Sequence, residues 1–213
     1  MTTVKITEIF SSIQGESTSV GEPTVFVRLT GCPLRCRYCD TAYAFTGGEK
    51  KTIHDIITEV SSFSIQYVTV TGGEPLAQHT CLALLTSLCD AGFNVSLETS
   101  GAISVAGVDE RVRVILDVKT PGSGEVQKNL LDNFALLKPI DEIKFVICNR
   151  EDYEFSLDLI HNETLASKHQ ILFSPSHDEL AGRELAEWII QDGAKVRLQL
   201  QMHKYLWGNE PGR

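Results

Sequence analysis

Short apolar runs recur along the chain, each bounded by polar or turn-forming residues. Runs rich in Val, Ile, Leu and Phe stand at "VKITEIF" (4–10), "TVFVRLT" (24–30), "YVTVT" (67–71), "NVSLET" (94–99), "RVILDVK" (113–119), "EIKFVI" (142–147), "QILFSP" (170–175) and "KVRLQLQ" (195–201). Their length and β-branched content predict strands. Between several of them the apolar positions recur at helical spacing, at "LALLTSLCDAG" (82–92), "VQKNLLDNFALL" (126–137), "DYEFSLDLIHNETLA" (152–166) and "ELAGRELAEWIIQDG" (179–193). Thr52, followed three residues later by Asp55, forms a capping box that opens a further helix at "IHDIITEV". Gly92 and Gly193 stand where left-handed C-caps would close two of the helices.

Strands alternating with helices call for a parallel sheet with helical crossovers. A complete eight-fold barrel takes about 250 residues. This chain has 213, and no convincing helix separates the strands near 98 and 113. The expected fold is therefore α/β, an incomplete and open (β/α) barrel, formed as a single domain over residues 1–213. In such folds the chemistry gathers at the C-terminal ends of the strands. "GCPLRCRYCDT" (31–41), "GGEP" (72–75) and "TSG" (99–101) all fall at such ends.

Composition narrows the chemistry. Nineteen basic against twenty-eight acidic residues give a net charge of −9, with the charges scattered. That balance disfavours direct nucleic-acid binding and suits a small-molecule substrate. The N-terminal segment does not read as a signal peptide, and no run approaches membrane-spanning length, so a soluble, cytoplasmic protein with no membrane partner is expected. In a reducing cytosol six cysteines are not a disulfide framework, and a tight group of them points to metal or catalysis. No serine sits in a G-x-S-x-G elbow, and "GSG" at 122–124 reads as a turn.

Cys32, Cys36 and Cys39 are separated by three and then two residues, with no fourth thiol nearby. Four thiolates would saturate a four-iron, four-sulfur cluster; three leave one iron open to a substrate or cosubstrate. A structural zinc would need a fourth donor, and His54, His79, Cys81 and Cys89 are distant in sequence. Cys81, Cys89 and Cys148 read as small buried apolar residues. Gln14 and Glu16 flank Gly15 in what reads by itself as a polar turn, with an amide and a carboxylate close together. Arg28, within an apolar strand, is suited to bidentate pairing with a carboxylate.

The C-x3-C-x2-C spacing, with Tyr38 before its last cysteine, resembles the signature of the radical S-adenosylmethionine superfamily. Gly72-Gly73-Glu74-Pro75 resembles its motif for the methionine amino group. The resemblance implies a 4Fe-4S cluster on Cys32, Cys36 and Cys39 whose open iron takes S-adenosylmethionine. Reductive cleavage of that cosubstrate yields a 5′-deoxyadenosyl radical, so no side chain is expected to be the catalytic group itself.

Within the superfamily, "FSSIQGES" (10–17), "FVRLTGCPLRCRYCDT" (26–41), "TGGEP" (71–75), "LETSG" (97–101), "LDVKTPGSG" (116–124) and "HKYLWGNEPGR" (203–213) resemble the group that forms 7-carboxy-7-deazaguanine for queuosine and deazapurine synthesis. That resemblance implies ring contraction of 6-carboxy-5,6,7,8-tetrahydropterin with loss of ammonia. It further implies a homodimer, a reductant such as flavodoxin or ferredoxin, and Mg2+ on Thr41. Ile13, Gln14, Gly15, Glu16, Arg28, Thr71 and Pro211 are implied at the substrate. For S-adenosylmethionine it implies Tyr38, Gly73, Glu74, Ser100, Asp117, Lys119, and the turn Ser174, Pro175, Ser176, His177. Some members of the group carry Ser-Pro-Lys where this chain has Asp117-Val118-Lys119. His203, Lys204 and Trp207 belong to a terminal segment that would complete the pocket. Two rival expectations are an activase that installs a glycyl radical on a partner protein and a zinc-stabilised binding module without catalysis.

Overall fold

The computed structural model of the chain describes residues 2–208, 210 and 212. Nine strands form one sheet: β1 (Thr3–Ile13), β2 (Pro23–Leu29), β3 (Glu49–Thr52), β4 (Tyr67–Gly72), β5 (Asn94–Thr99), β6 (Arg113–Val118), β7 (Glu142–Ile147), β8 (Gln170–Pro175) and β9 (Arg197–Leu198). Among the described residues five α-helices accompany it: α1 (Ile53–Ser62), α2 (Cys81–Asp90), α3 (Arg150–Asn162), α4 (Gly182–Asp192) and α5 (Met202–Trp207). The sheet order is β3-β1-β2-β4-β5-β6-β7-β8-β9. From β2 onward every pairing is parallel, while β1 joins β2 and β3 antiparallel. The ends do not meet, which gives the open barrel that the alternating pattern predicts.

Alternation along the parallel strands gives the sheet two unlike faces. Val25, Val27 and Leu29 on β2, Val68 and Val70 on β4, Leu116 and Val118 on β6, and Ile143, Phe145 and Ile147 on β7 are buried in one core. Ile56, Val60, Leu84, Leu88, Tyr153 and Leu185 of the covering helices pack into the same core. Full burial of each such side chain contributes about 1.5–3 kcal/mol. The opposite register of the pleat carries polar residues, among them Thr69, Thr71, Glu98 of β5, Asp117, Lys144 and Ser174 of β8, together with the apolar Phe26, Ile115, Val146 and Leu172. The polar ones give the second face of the sheet its polar patch.

Three expectations need correction. The helix expected at 126–137 is instead two 3-10 segments, Val126–Lys128 and Leu131–Leu136. Asn133 is the cause: buried, it accepts from Val105 N (3.0 Å) and donates to the carbonyls of Gly101 and Ile103. Asn129 likewise bonds both backbone groups of Lys119. Side chains tied laterally to other loops compete with the axial ladder. The strand expected at 195–201 shrinks to Arg197–Leu198, because after Gln199 the chain turns to meet Gly15. The capping box at Thr52 closes differently, with the Thr52 hydroxyl accepting from Asp55 N (3.1 Å) and donating to Asp55 Oδ2 (2.7 Å).

Candidate active site

The cysteine loop leaves β2 through Gly31, whose φ of 101° is open chiefly to glycine. Its backbone is clamped to the end of β4: Gly73 N donates to Leu29 O (3.2 Å) and Glu74 N to Gly31 O (2.8 Å). That approach demands glycine. A Cβ on Gly73 would lie 2.2 Å from Gly31 O and 2.7 Å from Cys32 Cβ; one on Gly72 would lie 2.3 Å from Leu29 O. On its other side the loop is held by Arg37 N to Ser123 O (3.0 Å) and Arg35 N to Glu125 Oε1 (2.6 Å).

Cys32, Cys36 and Cys39 are free and partly exposed. Burial pushes the Cys32 and Cys36 thiols up, and mutual repulsion among the three sulfurs adds to it; Lys119 opposes. Binding metal as thiolates therefore releases protons. Among the described residues no three His, Cys, Asp or Glu side chains converge on a single ion. The donor set fits a cluster, in which each cysteine takes a different iron. The alternative zinc donors lie elsewhere, Cys81 and Cys89 buried in α2 and His54 in α1.

Glu74 is fully buried. Its carboxylate accepts from Leu76 N (2.9 Å), Ser100 N (2.7 Å) and the hydroxyls of Thr99 and Ser100. Both oxygens accept from protein donors, so Glu74 fixes the strand ends, and Ser100 with them.

Beside the thiols lies a polar corner. Lys119, nearly buried, pairs with Asp117 Oδ2 at 3.0 Å and stands 5.8 Å from the centre of the Tyr38 ring. Burial alone would lower the Lys119 pKa, but Asp117, the Cys36 sulfur and Glu74 hold it above the usual range. Tyr38 Oη and Asp117 Oδ1 are buried without a hydrogen-bond partner among the described residues. Unmet polar atoms of this kind call for a polar ligand. Ser174 and Ser176 are buried at the end of β8, where Ser176 N bonds Ile147 O (2.8 Å). Pro175 ends that strand. His177, the last residue of the turn, is exposed and pairs with Asp178 (3.0 Å).

The third group lines the polar face. Gln14, buried, donates to Thr69 Oγ1 (3.2 Å) and Glu98 Oε1 (3.4 Å) and accepts from Glu16 N (3.1 Å). Thr71 donates to Glu98 Oε2 (3.0 Å). The Glu16 carboxylate is held by the Lys144 ammonium and by Gln201 Nε2 (2.8 Å). Burial pushes Glu16 up, but the Lys144 charge and these hydrogen bonds prevail and bring it down to about 2. Glu98 is pushed up by burial and by the charge of Glu16.

Gly15 admits the terminal segment. A Cβ there would lie 2.2 Å from His203 Nδ1, and Met202 N donates to Gly15 O (3.1 Å). Lys204 pairs with Asp40 at 3.3 Å, fastening α5 to the loop after the cysteines. Ile13 ends β1 just before this turn. Thr41 Oγ1 lies 3.9 Å from Cys39 Sγ, partly exposed. Pro211 lies outside the described residues.

Arg28, expected to pair bidentately with a substrate carboxylate, already has a protein partner. A bulge in β1 brings Glu8 opposite Arg28, and Arg28 Nε donates to Glu8 Oε1 at 2.6 Å. Its guanidinium carbon lies 5.7 Å from the Phe10 ring centre and 5.9 Å from that of Tyr43. Tyr43 Oη also donates to Glu8 (2.7 Å). The two Nη groups make no hydrogen bond among the described residues.

Residue-type arguments did not single out Glu8, Thr69, Glu98, Lys144 or Gln201. A signal for three of them was present: Thr69, Glu98 and Lys144 are polar positions directly beside buried apolar residues of their strands, Val68 and Val70, Leu97, and Ile143 and Phe145.

The description of the Radical SAM superfamily matches residues 26–122, from β2 to the turn after β6. The 7-carboxy-7-deazaguanine synthase of Chlorobaculum tepidum is 45% identical over 207 residues, covering 96% of this chain and 94% of its own. That of Koribacter versatilis is 41% identical over 222 residues, covering 97% and 98%. The crystal structure of QueE from Escherichia coli superposes with a TM-score of 0.78 at 25% identity, covering 93% of this chain and 94% of that one.

Proposed function

Because the chain belongs to the 7-carboxy-7-deazaguanine synthase family of the radical SAM superfamily, we propose that it contracts 6-carboxy-5,6,7,8-tetrahydropterin to 7-carboxy-7-deazaguanine with loss of ammonia. It is a radical carbon–nitrogen lyase with an iron–sulfur and S-adenosylmethionine cofactor system. The observation that carries the reading is the agreement with relatives of that activity over nearly the whole chain, which neither a glycyl-radical activase nor a zinc module would produce. When bound, the cluster and S-adenosylmethionine supply the 5′-deoxyadenosyl radical that starts the reaction.

The protein's part is positioning. Cys32, Cys36 and Cys39 would hold the cluster, and Gly73 gives the cosubstrate close access to it. Lys119 would meet the cosubstrate's carboxylate, with Asp117 and Tyr38 at its hydroxyl groups. Thr41 would ligate Mg2+, which keeps most of its other sites for substrate and water oxygens. Gln14 and Glu16 would read the pterin edge and Arg28 its carboxylate. The reading further takes residues 1–213 as one domain acting as a cytoplasmic homodimer, reduced by a flavodoxin or ferredoxin.

The test is anaerobic incubation of iron-reconstituted protein with S-adenosylmethionine, reductant, Mg2+ and the carboxytetrahydropterin. A deazapurine product is expected; a preparation that cleaves S-adenosylmethionine without forming one overturns the assignment. Arg28→Ala should weaken substrate binding by about 2 kcal/mol or more through loss of a charge-assisted pair. Glu8 would still accept from Tyr43, so iron content and thermal stability should stay near wild type; a variant with an unchanged KM would remove Arg28 from the substrate site.

A further inference from the structure

The pairing of β1 with β2 changes face at one residue. Ile6 stands opposite Leu29 and is buried with it in the core, whereas Glu8 stands opposite Arg28 and Phe10 opposite Phe26. Thr7 is the extra residue, and its hydroxyl is hydrogen-bonded to that of Thr30 (2.8 Å). In a regular ladder Arg28 would face Thr7, and Glu8 would follow Ile6 into the core. The bulge brings a carboxylate out to meet one arginine.

Glu8 engages that arginine at one corner. Arg28 Nε donates to Glu8 Oε1 at 2.6 Å, and Tyr43 Oη donates to the same oxygen at 2.7 Å. The Phe10 and Tyr43 rings, 5.7 and 5.9 Å from the guanidinium carbon, hem the group in. Because Nε alone is taken among the described residues, the edge formed by the two Nη atoms is open to a bidentate carboxylate. Tyr43 belongs to the 3-10 turn Ala42–Phe45, which begins directly after Thr41.

We propose that Glu8 is a positioning residue for the pterin carboxylate. By holding Nε it fixes the Arg28 guanidinium with its Nη edge free, and through Tyr43 it sets that cation against the turn that follows Thr41. This rests on the pterin reading above, in which Arg28 meets the carboxylate. Charge alone argues the other way: an anion beside Arg28 offsets part of its field and repels an incoming carboxylate. What Glu8 contributes to binding is therefore geometry, and removal of its side chain separates the two effects by sign.

The test is anaerobic equilibrium binding of 6-carboxy-5,6,7,8-tetrahydropterin, and of tetrahydropterin without the carboxylate, to reconstituted protein with S-adenosylmethionine and Mg2+. Glu8→Ala should bind the carboxylated ligand at least about tenfold more weakly and the other within about twofold of wild type. Glu8→Gln, whose amide oxygen can accept both hydrogen bonds without a charge, should restore wild-type affinity. Should Glu8→Ala fail to fold, Glu8→Asp, one methylene shorter, carries the same expectation. Unchanged or tighter binding of the carboxylated ligand by Glu8→Ala marks Glu8 as a counter-charge and overturns the proposal. An equal loss for both ligands marks it as merely structural and does the same. A wild type that shows no preference for the carboxylated ligand overturns instead the reading of Arg28 on which the proposal rests.

Discussion

A Gly73→Ala protein is expected to lose most of its iron on reconstitution and with it all radical chemistry. The added methyl carbon would fall 2.2 Å from Gly31 O and 2.7 Å from Cys32 Cβ. Neither obstacle is the end of a flexible side chain. The loop bearing Cys32 must move away from β4, breaking the bonds from Gly73 N to Leu29 O and from Glu74 N to Gly31 O. Overpacking of this kind costs about 1–3 kcal/mol, and here the strain falls on the first of three thiols that must meet one cluster. Iron and sulfide content and the visible absorption of the reconstituted protein are the readouts. Gly92→Ala is the control: its φ of 90° is strained for alanine, but nothing lies within 4 Å. That variant should lose about 1 kcal/mol of stability and keep its iron. Full iron content in Gly73→Ala would show that the close approach is incidental.

The second large effect concerns stability. Glu74→Ala should lower the free energy of unfolding by about 3–5 kcal/mol, because it leaves several buried donors without an acceptor, each costing about 1–3 kcal/mol. Ser100 N and Leu76 N would lose their acceptor, and the hydroxyls of Thr99 and Ser100 would be left facing a cavity. Against a total stability of about 5–15 kcal/mol this is a major fraction. Urea unfolding should show the lowered midpoint with an unchanged slope. Glu74→Gln should fall between, because its amide nitrogen must face N–H donors. A midpoint shift worth less than about 1 kcal/mol would mean that water or a rearranged turn replaces the carboxylate.

The fold was legible wherever apolar residues dictated it. Seven of the eight expected strands appear within a few residues of their predicted bounds, because buried valines and leucines leave little choice of register. What escaped was decided by polar residues. β3, "EKKT", has no apolar residue and exists because it pairs with β1. The 126–137 segment has a helical apolar pattern, but Asn129 and Asn133 tie their side chains to the backbone of other loops. At the site, the cysteines, glycines and Gln14-Gly15-Glu16 could be read from residue type and spacing. Their partners could not: that Lys144 reaches Glu16 depends on β7 returning beside β6, a contact spanning 128 positions. The placement of Glu8 against Arg28 likewise turns on a single bulge.

An open barrel leaves two strand edges, and unpaired edges are templates on which further strands can add. Here one edge is β3, whose Glu49, Lys50 and Lys51 offer an incoming chain charges to desolvate and nothing apolar to bury. The other, β9, is two residues long. The open side of the barrel is thus bordered by strands too charged or too short to nucleate fibrils, so the barrel can stay unclosed without becoming a seed for aggregation.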